Sequence, residues 1–425
     1  MNNQSNQKVP EGYKQTDVGV IPESWKVKNL GETATLKARI GWQGLTTAEY
    51  KTSGKYLLIT GTEFTEGFID WDNCFFVDEH RYKQDRNIQI KENDILVTKD
   101  GTIGKVALIK DMCKPATLNS GVFVVRPLGE SFDQKFFYYL LLSEVFREFL
   151  SQLSAGSTIN HLYQKDFVHF NYYTPDTRAE QTAIATVLSD TDDLITTLEK
   201  LIAKKKLIKQ GAMQELLTGK RRLPEFDKGQ GYKQTEVGLI PEDWEVRRLV
   251  EITENLDSLR VPLNDSQRQS MKGTIPYCGA NGILDYVNDF VIDDDIILMA
   301  EDGGYFDEYE TRPIAYRMRG KCWVNNHAHI LKATENISQS YLFYSLVHKN
   351  ILHYINGGTR AKLNKREMNN IEIFISDSKE EQTAIGTVLS DMDLEIEALE
   401  KKLEKYKLLK EGMMQKLLTG QIRLI

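Results

Sequence analysis

Two internal repeats with different offsets constrain this chain more than any local pattern does, because a repeat decides the architecture before single motifs are considered. Residues 12–25, GYKQTDVGVIPESW, return as residues 231–244, GYKQTEVGLIPEDW, with an offset of 219. Residues 180–190, EQTAIATVLSD, return as residues 381–391, EQTAIGTVLSD, with an offset of 201. The stretch between the repeated blocks is therefore 219 − 201 = 18 residues longer in the first half. Each half consists of a leader, a variable block and a shared tail.

The repeats also predict the domain boundaries. A chain of 425 residues is too long for one hydrophobic core of ordinary size, so we expect at least two domains. Shared leaders and tails around different middles are what a scaffold with two distinct recognition modules needs. The expected domains are residues 1–177 for the first leader and module, 178–226 for a central helix, 227–379 for the second leader and module, and 380–425 for a C-terminal helix.

Each tail is predicted to form one long amphipathic helix. No proline occurs between Arg178 and Leu223, and Pro175 and Pro224 bracket that stretch. Apolar residues recur at steps close to three and four, which places one apolar stripe on each helix. Such a rod cannot bury its stripe alone, so we expect the tails to pair antiparallel with a module at each end. The alternative is two independent helices, each packed on its own module. The stripes are Leu188, Ile195, Leu198, Ile202, Ile208, Ala212 and Leu216 in the first tail, and Leu389, Ile396, Leu399, Leu403, Leu409, Met413 and Leu417 in the second.

The variable blocks have the pattern of mixed helix and sheet. Short β-branched runs bounded by glycine, proline or charge predict strands in both blocks, and amphipathic helices are expected around residues 134–150 and 340–353. The predicted fold class is therefore α+β. Two globular domains would be separated by two long antiparallel helices, with a pseudo-twofold internal repeat.

Composition excludes several classes of function. Asp and Glu total 61 against 54 for Lys and Arg, and a net charge of −7 argues against binding a polyanion by bulk charge alone. The densest apolar run, residues 136–142, is far too short to span a bilayer, and the first residues are polar. The four cysteines are scattered without a CxxC pair, which fits a reducing compartment. We therefore expect a cytoplasmic protein.

Motifs for catalysis are missing from the sequence. Residues 101–105, GTIGK, contain glycine and lysine without the GxxxxGK[ST] spacing of a phosphate-binding loop. No GxGxxG opens a helix, and no His or Cys spacing indicates a metal site. We accordingly expect no catalytic residue, no metal and no cofactor in this chain.

The repeated leader, the EQTAI and VLSD segments and the LLTGKRRL end of the first tail resemble the specificity subunit of Type I restriction-modification systems. Within the first block, residues 39–45 and 98–104 look like one recurring type of target-recognition domain. Residues 277–282, 300–303 and 323–329 look like another type. The resemblance covers nearly the whole chain.

The resemblance implies a non-catalytic DNA-recognition role in phage defence. Each block would read one half of a bipartite, asymmetric double-stranded DNA target, the tails would form a coiled-coil spacer, and two methyltransferase subunits would dock on the scaffold. Those partners would bind S-adenosylmethionine and methylate adenine. Restriction subunits would add translocation and cleavage with ATP and Mg. Because the chain is acidic, we infer that partner subunits hold much of the DNA backbone while this subunit reads bases.

Residues able to read base edges carry amide, hydroxyl, guanidinium, ammonium or imidazole groups. Trp42 is added because it could stack on a base exposed when an adenine is flipped out. For each, the alternative is a turn residue that satisfies its own loop. The candidates are Arg39, Trp42, Gln43, Lys99, Thr102, Lys105, Asn160 and His161 in the first block, and Asn281, Asn325, Asn326, His327, Arg360 and Lys362 in the second.

Two other interpretations stay open at this point. A repeat-built structural adaptor without a DNA role would show no sequence-selective binding even with its partners. A recognition subunit of a single-methyltransferase, Type II-like restriction enzyme would copurify without a separate translocating ATPase.

Overall fold

The structure is a computed structural model that describes residues 9–154, 161–229, 231–356 and 361–424, and of Trp42 only the backbone. The chain divides into two compact units. Unit 1 comprises Met1–Leu198 and Lys402–Ile425, and unit 2 comprises Glu199–Lys401. Each unit therefore contains a leader, a variable block and parts of both tails.

Unit 1 is built around a four-stranded sheet with the order β10-β9-β12-β4 and a three-stranded sheet with the order β11-β5-β8. Most pairs are antiparallel, and β11 pairs with β5 in parallel. The strands are β1 (Tyr13–Thr16), β2 (Gly19–Pro22), β3 (Lys26–Asn29), β4 (Ala34–Lys37), β5 (Tyr56–Ile59), β6 (Phe64–Thr65), β7 (Phe68–Ile69), β8 (Phe75–Val77), β9 (Ile95–Thr98), β10 (Val106–Leu108), β11 (Ala116–Leu118), β12 (Val122–Pro127) and β13 (Asn171–Thr174).

The helices of the first block pack on these sheets. The helix expected at residues 134–150 is interrupted at Ser143, whose backbone is extended. The helices are α1 (Leu30–Thr33), α2 (Glu79–Lys83), α3 (Gln134–Leu142), α4 (Glu144–Ser154), α5 (Gln164–Phe167) and the first tail, α6 (Arg178–Leu216).

Unit 2 is built around a six-stranded sheet with the order β17-β22-β20-β21-β18-β19, in which β18 and β21 are parallel. The strands are β14 (Tyr232–Thr235), β15 (Gly238–Pro241), β16 (Trp244–Arg248), β17 (Thr253–Asn255), β18 (Lys272–Gly279), β19 (Gly282–Val287), β20 (Ile292–Ala300), β21 (Ala315–Val324), β22 (Ala328–Ala333) and β23 (Glu372–Ser376). The helices are α7 (Leu249–Ile252), α8 (Asp265–Ser270), α9 (Gln339–Val347), α10 (Lys365–Asn369) and the second tail, α11 (Lys379–Leu417).

The two blocks share a core topology despite their different sequences. The order β10-β9-β12-β4 in unit 1 matches the order β21-β20-β22-β17 in unit 2. In each unit the last block strand pairs with the strand after the leader, as β13 with β3 and β23 with β16. The mixed α+β fold with an internal repeat is therefore confirmed.

Within each unit, segments of the two tails lie side by side in opposite directions. In unit 2, Lys205 contacts Glu395 at 2.7 Å while Lys209 contacts Asp393 at 2.5 Å, so the partner number falls as the first number rises. In unit 1, Lys410 pairs with Asp192 at 2.5 Å and Arg423 with Glu180 at 2.7 Å, so the partner number again falls as the first number rises. Eight predicted stripe residues are buried, and Leu399 and Leu403 are half-buried. The buried eight are Leu188, Ile195, Leu198, Ile202, Leu216, Leu389, Ile396 and Leu417.

The predicted stripe is wrong at two equivalent positions. Ile208 and Leu409 are each 48% exposed. The adjacent lysines, Lys209 and Lys410, turn inward instead, and each binds a carboxylate that also accepts a tyrosine hydroxyl. Tyr344 donates to Asp393 at 2.6 Å in unit 2, and unit 1 repeats the arrangement with Tyr139 and Asp192 at 2.7 Å. A lysine stem packs like an apolar residue while its ammonium finds an anion, which a count of apolar residues does not detect.

Each tail begins with a repeated Glu-Gln pair, and the glutamine of each pair makes two hydrogen bonds to the block of its own unit. Gln181 accepts from the Asp133 amide at 2.8 Å and donates to the Pro175 carbonyl at 3.0 Å, tying the start of α6 to the start of α3. Gln382 makes the matching pair of bonds in unit 2, with Ser338 and Ser376, both at 2.9 Å. The preceding glutamates have a different role.

Each of these glutamates binds an arginine that follows the end of the other tail. In unit 2, Arg222 donates to Glu381 at 2.6 and 2.8 Å and to Asp243 at 2.8 and 2.9 Å. In unit 1, Arg423 donates to Glu180 at 2.7 Å. The Arg222 and Glu381 side chains are almost fully buried, and a buried ion pair that loses one partner leaves an uncompensated charge. The repeated leader and tail sequences thus form the same joint in both units.

No helix within the described ranges is long and apolar enough to cross a membrane.

Candidate nucleic-acid interface

The first candidate surface is the turn between β9 and β10 together with residues 161–162, the clasping segment, which is hydrogen-bonded to that turn. We call residues 98–105 with His161 and Leu162 the first turn cluster. The buried Thr98 organises the turn, because its hydroxyl donates to the Thr102 carbonyl at 2.5 Å and accepts from the Lys105 amide at 2.9 Å. Positive φ angles at Gly101 and Gly104 permit the tight path. Thr102 and Lys105 are exposed as a result.

The clasping segment is held by both backbone and side chain. The Leu162 amide donates to the Lys99 carbonyl at 2.8 Å, and His161 forms a bridge with Asp100 through the backbone and through its Nδ1 atom. The Lys99 amide donates to the Gly121 carbonyl at 2.8 Å. Two lysines, a histidine and an aspartate thus surround one turn.

The second candidate surface follows β20, the counterpart of β9. We call residues 300–304, 325–329 and 361–363 with Asn281 the second turn cluster. Asn281 donates to the Gly303 carbonyl at 2.8 Å, and His327 contacts Asp302 at 2.6 Å through Nδ1. Lys362 lies 2.9 Å from Glu301. Asn325 accepts from the His327 amide at 2.8 Å, which shapes the turn before β22.

The two clusters share a backbone framework. The Leu363 amide donates to the Glu301 carbonyl at 2.7 Å, as that of Leu162 does to Lys99. Asp302 bridges Lys362 just as Asp100 bridges His161. An identical Asp-Gly step follows each central strand, but the flanking side chains differ. The same framework therefore presents two different sets of hydrogen-bonding groups.

The structure brings nine predicted readers into these clusters and places others elsewhere. Arg39 is 1% exposed, and its guanidinium donates to the Leu118 carbonyl at 2.8 Å and the Thr117 hydroxyl at 3.3 Å. Gln43 is also buried, with a side-chain oxygen that has no hydrogen-bond partner in the described structure. Asn160, Arg360 and the Trp42 side chain lie outside what the structure describes. The clustered nine are Lys99, Thr102, Lys105, His161, Asn281, Asn325, Asn326, His327 and Lys362.

Burial and ion pairing set the charge state of the second cluster. Burial by itself would raise the pKa of Glu301, but hydrogen bonds from Arg260 and Lys362 outweigh it and lower that pKa. In unit 1, burial lowers the pKa of Arg39, and the nearby Arg81 adds to this effect. Glu301 is therefore an anion that orients two cations near the turn.

The described residues contain no group of three or more His, Cys, Asp or Glu side chains that could hold a metal ion. Hydrogen-bond donors and acceptors on two turns are the chemistry that these surfaces offer.

Comparison with known proteins decides the family. The family model for the Type I restriction modification DNA specificity domain matches twice, at residues 22–210 and 241–407. These ranges include both turn clusters and most of both tails. The chain belongs to this specificity family. The specificity domain therefore occurs once in each half of the chain.

Two relatives of similar length are named as specificity subunits of type I restriction enzymes. A Methanocaldococcus jannaschii protein named as the MjaX specificity subunit of a type I restriction enzyme is 27% identical, and the match covers 97% of each chain. The MjaIX specificity subunit of the same organism is 23% identical over 97% of this chain and 96% of its own. The crystal structure of a Type I S subunit from M. genitalium matches with a TM-score of 0.62 at 18% identity, over 92% of this chain and 96% of that one. That structure supports the fold.

Sequence reasoning missed several residues of these specificity domains. Asp100 and Asp302 hold the clasping segments, and Glu301 and Arg260 support the second cluster. The Asp-Gly steps at 100–101 and 302–303 were the available signal, because they recur with an offset of 202. Arg260 carried no local signal, since the chain folds back from a distant position to reach Glu301.

Proposed function

We propose that this specificity subunit reads a bipartite, asymmetric DNA target, with one half read by each turn cluster. The observation that carries this proposal is the shared framework with different exposed groups. The first turn cluster presents Lys99, Thr102, Lys105 and His161, and the second presents Asn281, His327 and Lys362. Amides pair well with adenine and cationic side chains with guanine, so two unlike half-sites would follow.

Methylome sequencing tests this proposal in cells with and without the gene. We expect one bipartite motif, with two unlike halves separated by a non-specific gap, to lose adenine methylation when the gene is deleted. An unchanged methylome, in cells that express the partner subunits, would contradict a role in DNA recognition.

We further infer that the paired tails hold two methyltransferase subunits and that restriction subunits join the complex. Apolar side chains support this inference, because they are exposed at equivalent positions of the two tails. Leu207 is 69% exposed and Leu408 is 61% exposed, and Ile208 and Leu409 lie beside them. Repeated exposed apolar residues mark interaction sites, and their equivalence suits two copies of one partner.

The chemistry of the complex is assigned to those partners. S-adenosylmethionine would bind to the methyltransferase subunits, and ATP and Mg to the restriction subunits. We expect the isolated chain to leave target DNA unlabelled when it is incubated with radiolabelled S-adenosylmethionine. Label above background in protein free of methyltransferase would contradict the assignment, and a reconstituted complex serves as the positive control.

A further inference from the structure

His329 is a buried histidine of unit 2 with both ring nitrogens engaged. It lies in β22 opposite Met299 of β20 and is 1% exposed. Its Nδ1 atom lies 2.7 Å from Oδ2 of Asp257, and its Nε2 atom lies 2.9 Å from the carbonyl oxygen of Leu363. A carboxylate oxygen and a carbonyl oxygen both accept hydrogen bonds. Both contacts are satisfied only if both ring nitrogens donate, which requires the imidazolium form.

The neighbouring charges suit a cation at this position. Asp257 also accepts from the Ile330 amide at 2.8 Å, and Glu301 lies 3.8 Å from Nδ1 of His329. Arg260 and Lys362 also bind Glu301, and Arg260 lies 3.5 Å from Asp257 as well. Burial alone would raise the pKa of Asp257, yet the hydrogen bonds from His329 and Ile330 lower it. Two carboxylates thus face three basic side chains in a largely buried cluster.

The contact with Leu363 links this histidine to the second turn cluster. Leu363 donates its amide to Glu301 and accepts from His329, so its peptide groups are held on both sides. Lys362 precedes it and is 45% exposed. We propose that His329, as a buried imidazolium, is a positioning residue that fixes residues 361–363 and thereby places Lys362 for DNA recognition by unit 2.

Unit 1 provides an internal comparison. Phe123 occupies the equivalent strand position, because it lies opposite Val97 in β9 just as His329 lies opposite Met299 in β20. Phe123 is buried, and Lys99 lies over its ring at 5.3 Å. A phenyl ring carries no titratable proton. The positioning by an imidazolium is therefore confined to unit 2.

The protonation state is tested by NMR of the full chain labelled with 15N-histidine. At neutral pH we expect both ring nitrogens of His329 to carry protons, with the signals assigned by their loss in His329→Gln. In Asp257→Asn, the amide nitrogen can donate to Nδ1 while Nε2 still donates to Leu363. The ring should then become neutral. An unprotonated nitrogen in the wild type, or a doubly protonated ring in Asp257→Asn, would overturn the proposal.

The positioning role is tested by hydrogen exchange of the Leu363 amide. Glutamine carries one amide nitrogen in place of the two ring nitrogens of His329, so it cannot donate to both Asp257 and the Leu363 carbonyl. We expect about tenfold faster exchange of the Leu363 amide in His329→Gln, the effect of one charge-assisted hydrogen bond. His80→Gln, at an exposed histidine of unit 1, is the control.

The consequence for recognition rests on the proposed function and is measured in the assembled complex. Methylation is compared on the wild-type target and on targets with single-base changes in either half. We expect His329→Gln to reduce methylation about tenfold and to relax discrimination in one half only. A uniform loss with discrimination intact in both halves would overturn the positioning role. A wild-type complex without a bipartite target would instead refute the proposed function, while the NMR result stands independently.

Discussion

At the scale of single residues, Arg39 shows how burial changes the interpretation of a candidate. An arginine in a glycine-rich loop is a good candidate for reading guanine. In the structure its guanidinium donates to the Leu118 carbonyl, the Thr117 hydroxyl and Gln84, all within unit 1. A contact between Arg39 and a base stays a prediction. Its internal hydrogen bonds stabilise the end of β11 at residues 117–118.

We expect Arg39→Lys to destabilise unit 1 in the absence of DNA. One ammonium cannot replace the guanidinium fork, so the buried Leu118 and Thr117 acceptors lose their donors at a cost of about 1–3 kcal/mol. Urea denaturation of the purified chain measures the change. Arg147→Lys is the matched control in the same unit, because Arg147 is 64% exposed and should change stability by less than about 0.5 kcal/mol. Unaltered stability with lost DNA recognition would instead identify Arg39 as a reader.

At the scale of elements, the end of each tail is fixed by one glycine. Helix α6 ends at Leu216, well before Pro224, and Gly219 follows with φ +68°. The hydroxyl of Tyr232 in the leader donates to the Gly219 carbonyl at 3.2 Å. Gly420 has φ +71° and accepts from Tyr13 in the same way. In each tail, the glycine with a left-handed backbone conformation ends the helix, and its carbonyl binds a tyrosine of the leader.

We expect Gly219→Ala to destabilise unit 2 by about 2 kcal/mol, because an L-residue is strained at this φ. The added Cβ would also lie 2.6 Å from the Pro241 ring. Gly211→Ala is the control within the same helix, since its Cβ would meet open space. That change should stabilise the helix by up to about 1 kcal/mol. Urea denaturation of both variants gives the comparison, and equal effects would refute the role of the helix end.

At the scale of the whole molecule, the repeats separate a constant framework from variable blocks. The joint residues Arg222, Asp243 and Glu381 all lie outside residues 245–378. So does Trp244, whose indole N–H donates to Glu381 at 3.2 Å. That range contains most of β16, its partner β23 and the entire six-stranded sheet. A block bounded in this way carries its own sheets and most of its core, and Leu216, Ile385 and Leu389 of the two tails complete that core.

We therefore expect that replacing residues 245–378 with the corresponding block of a related subunit changes one half of the methylated motif and preserves the other. Methylome sequencing of cells that carry the chimaera is the measurement. A change in both halves, with the protein folded and the complex assembled, would be incompatible with one half-site per unit. Reinserting the original block controls for the cloning.

Prediction from sequence succeeded where the signal was periodic or repeated. The long helices followed from apolar spacing and from the absence of proline, and the α+β class followed from short β-branched runs. The stripe failed at Ile208 and Leu409, since lysine stems and their carboxylate partners took the buried positions. Of the candidate readers, the residues in turns next to central strands came together, because strand order brings strand ends to one place.

The sequence alone determined the two-fold repeat, the tails and the division into constant and variable parts, because these depend on residues that are close in sequence or duplicated. Only the tertiary structure decided which polar side chains are exposed at the turn clusters and which are internal. Arg260, Glu301, His329 and Leu363 meet across up to 103 residues of chain. A hydrogen bond depends on distance in space, so no local pattern could show that His329 has two acceptors.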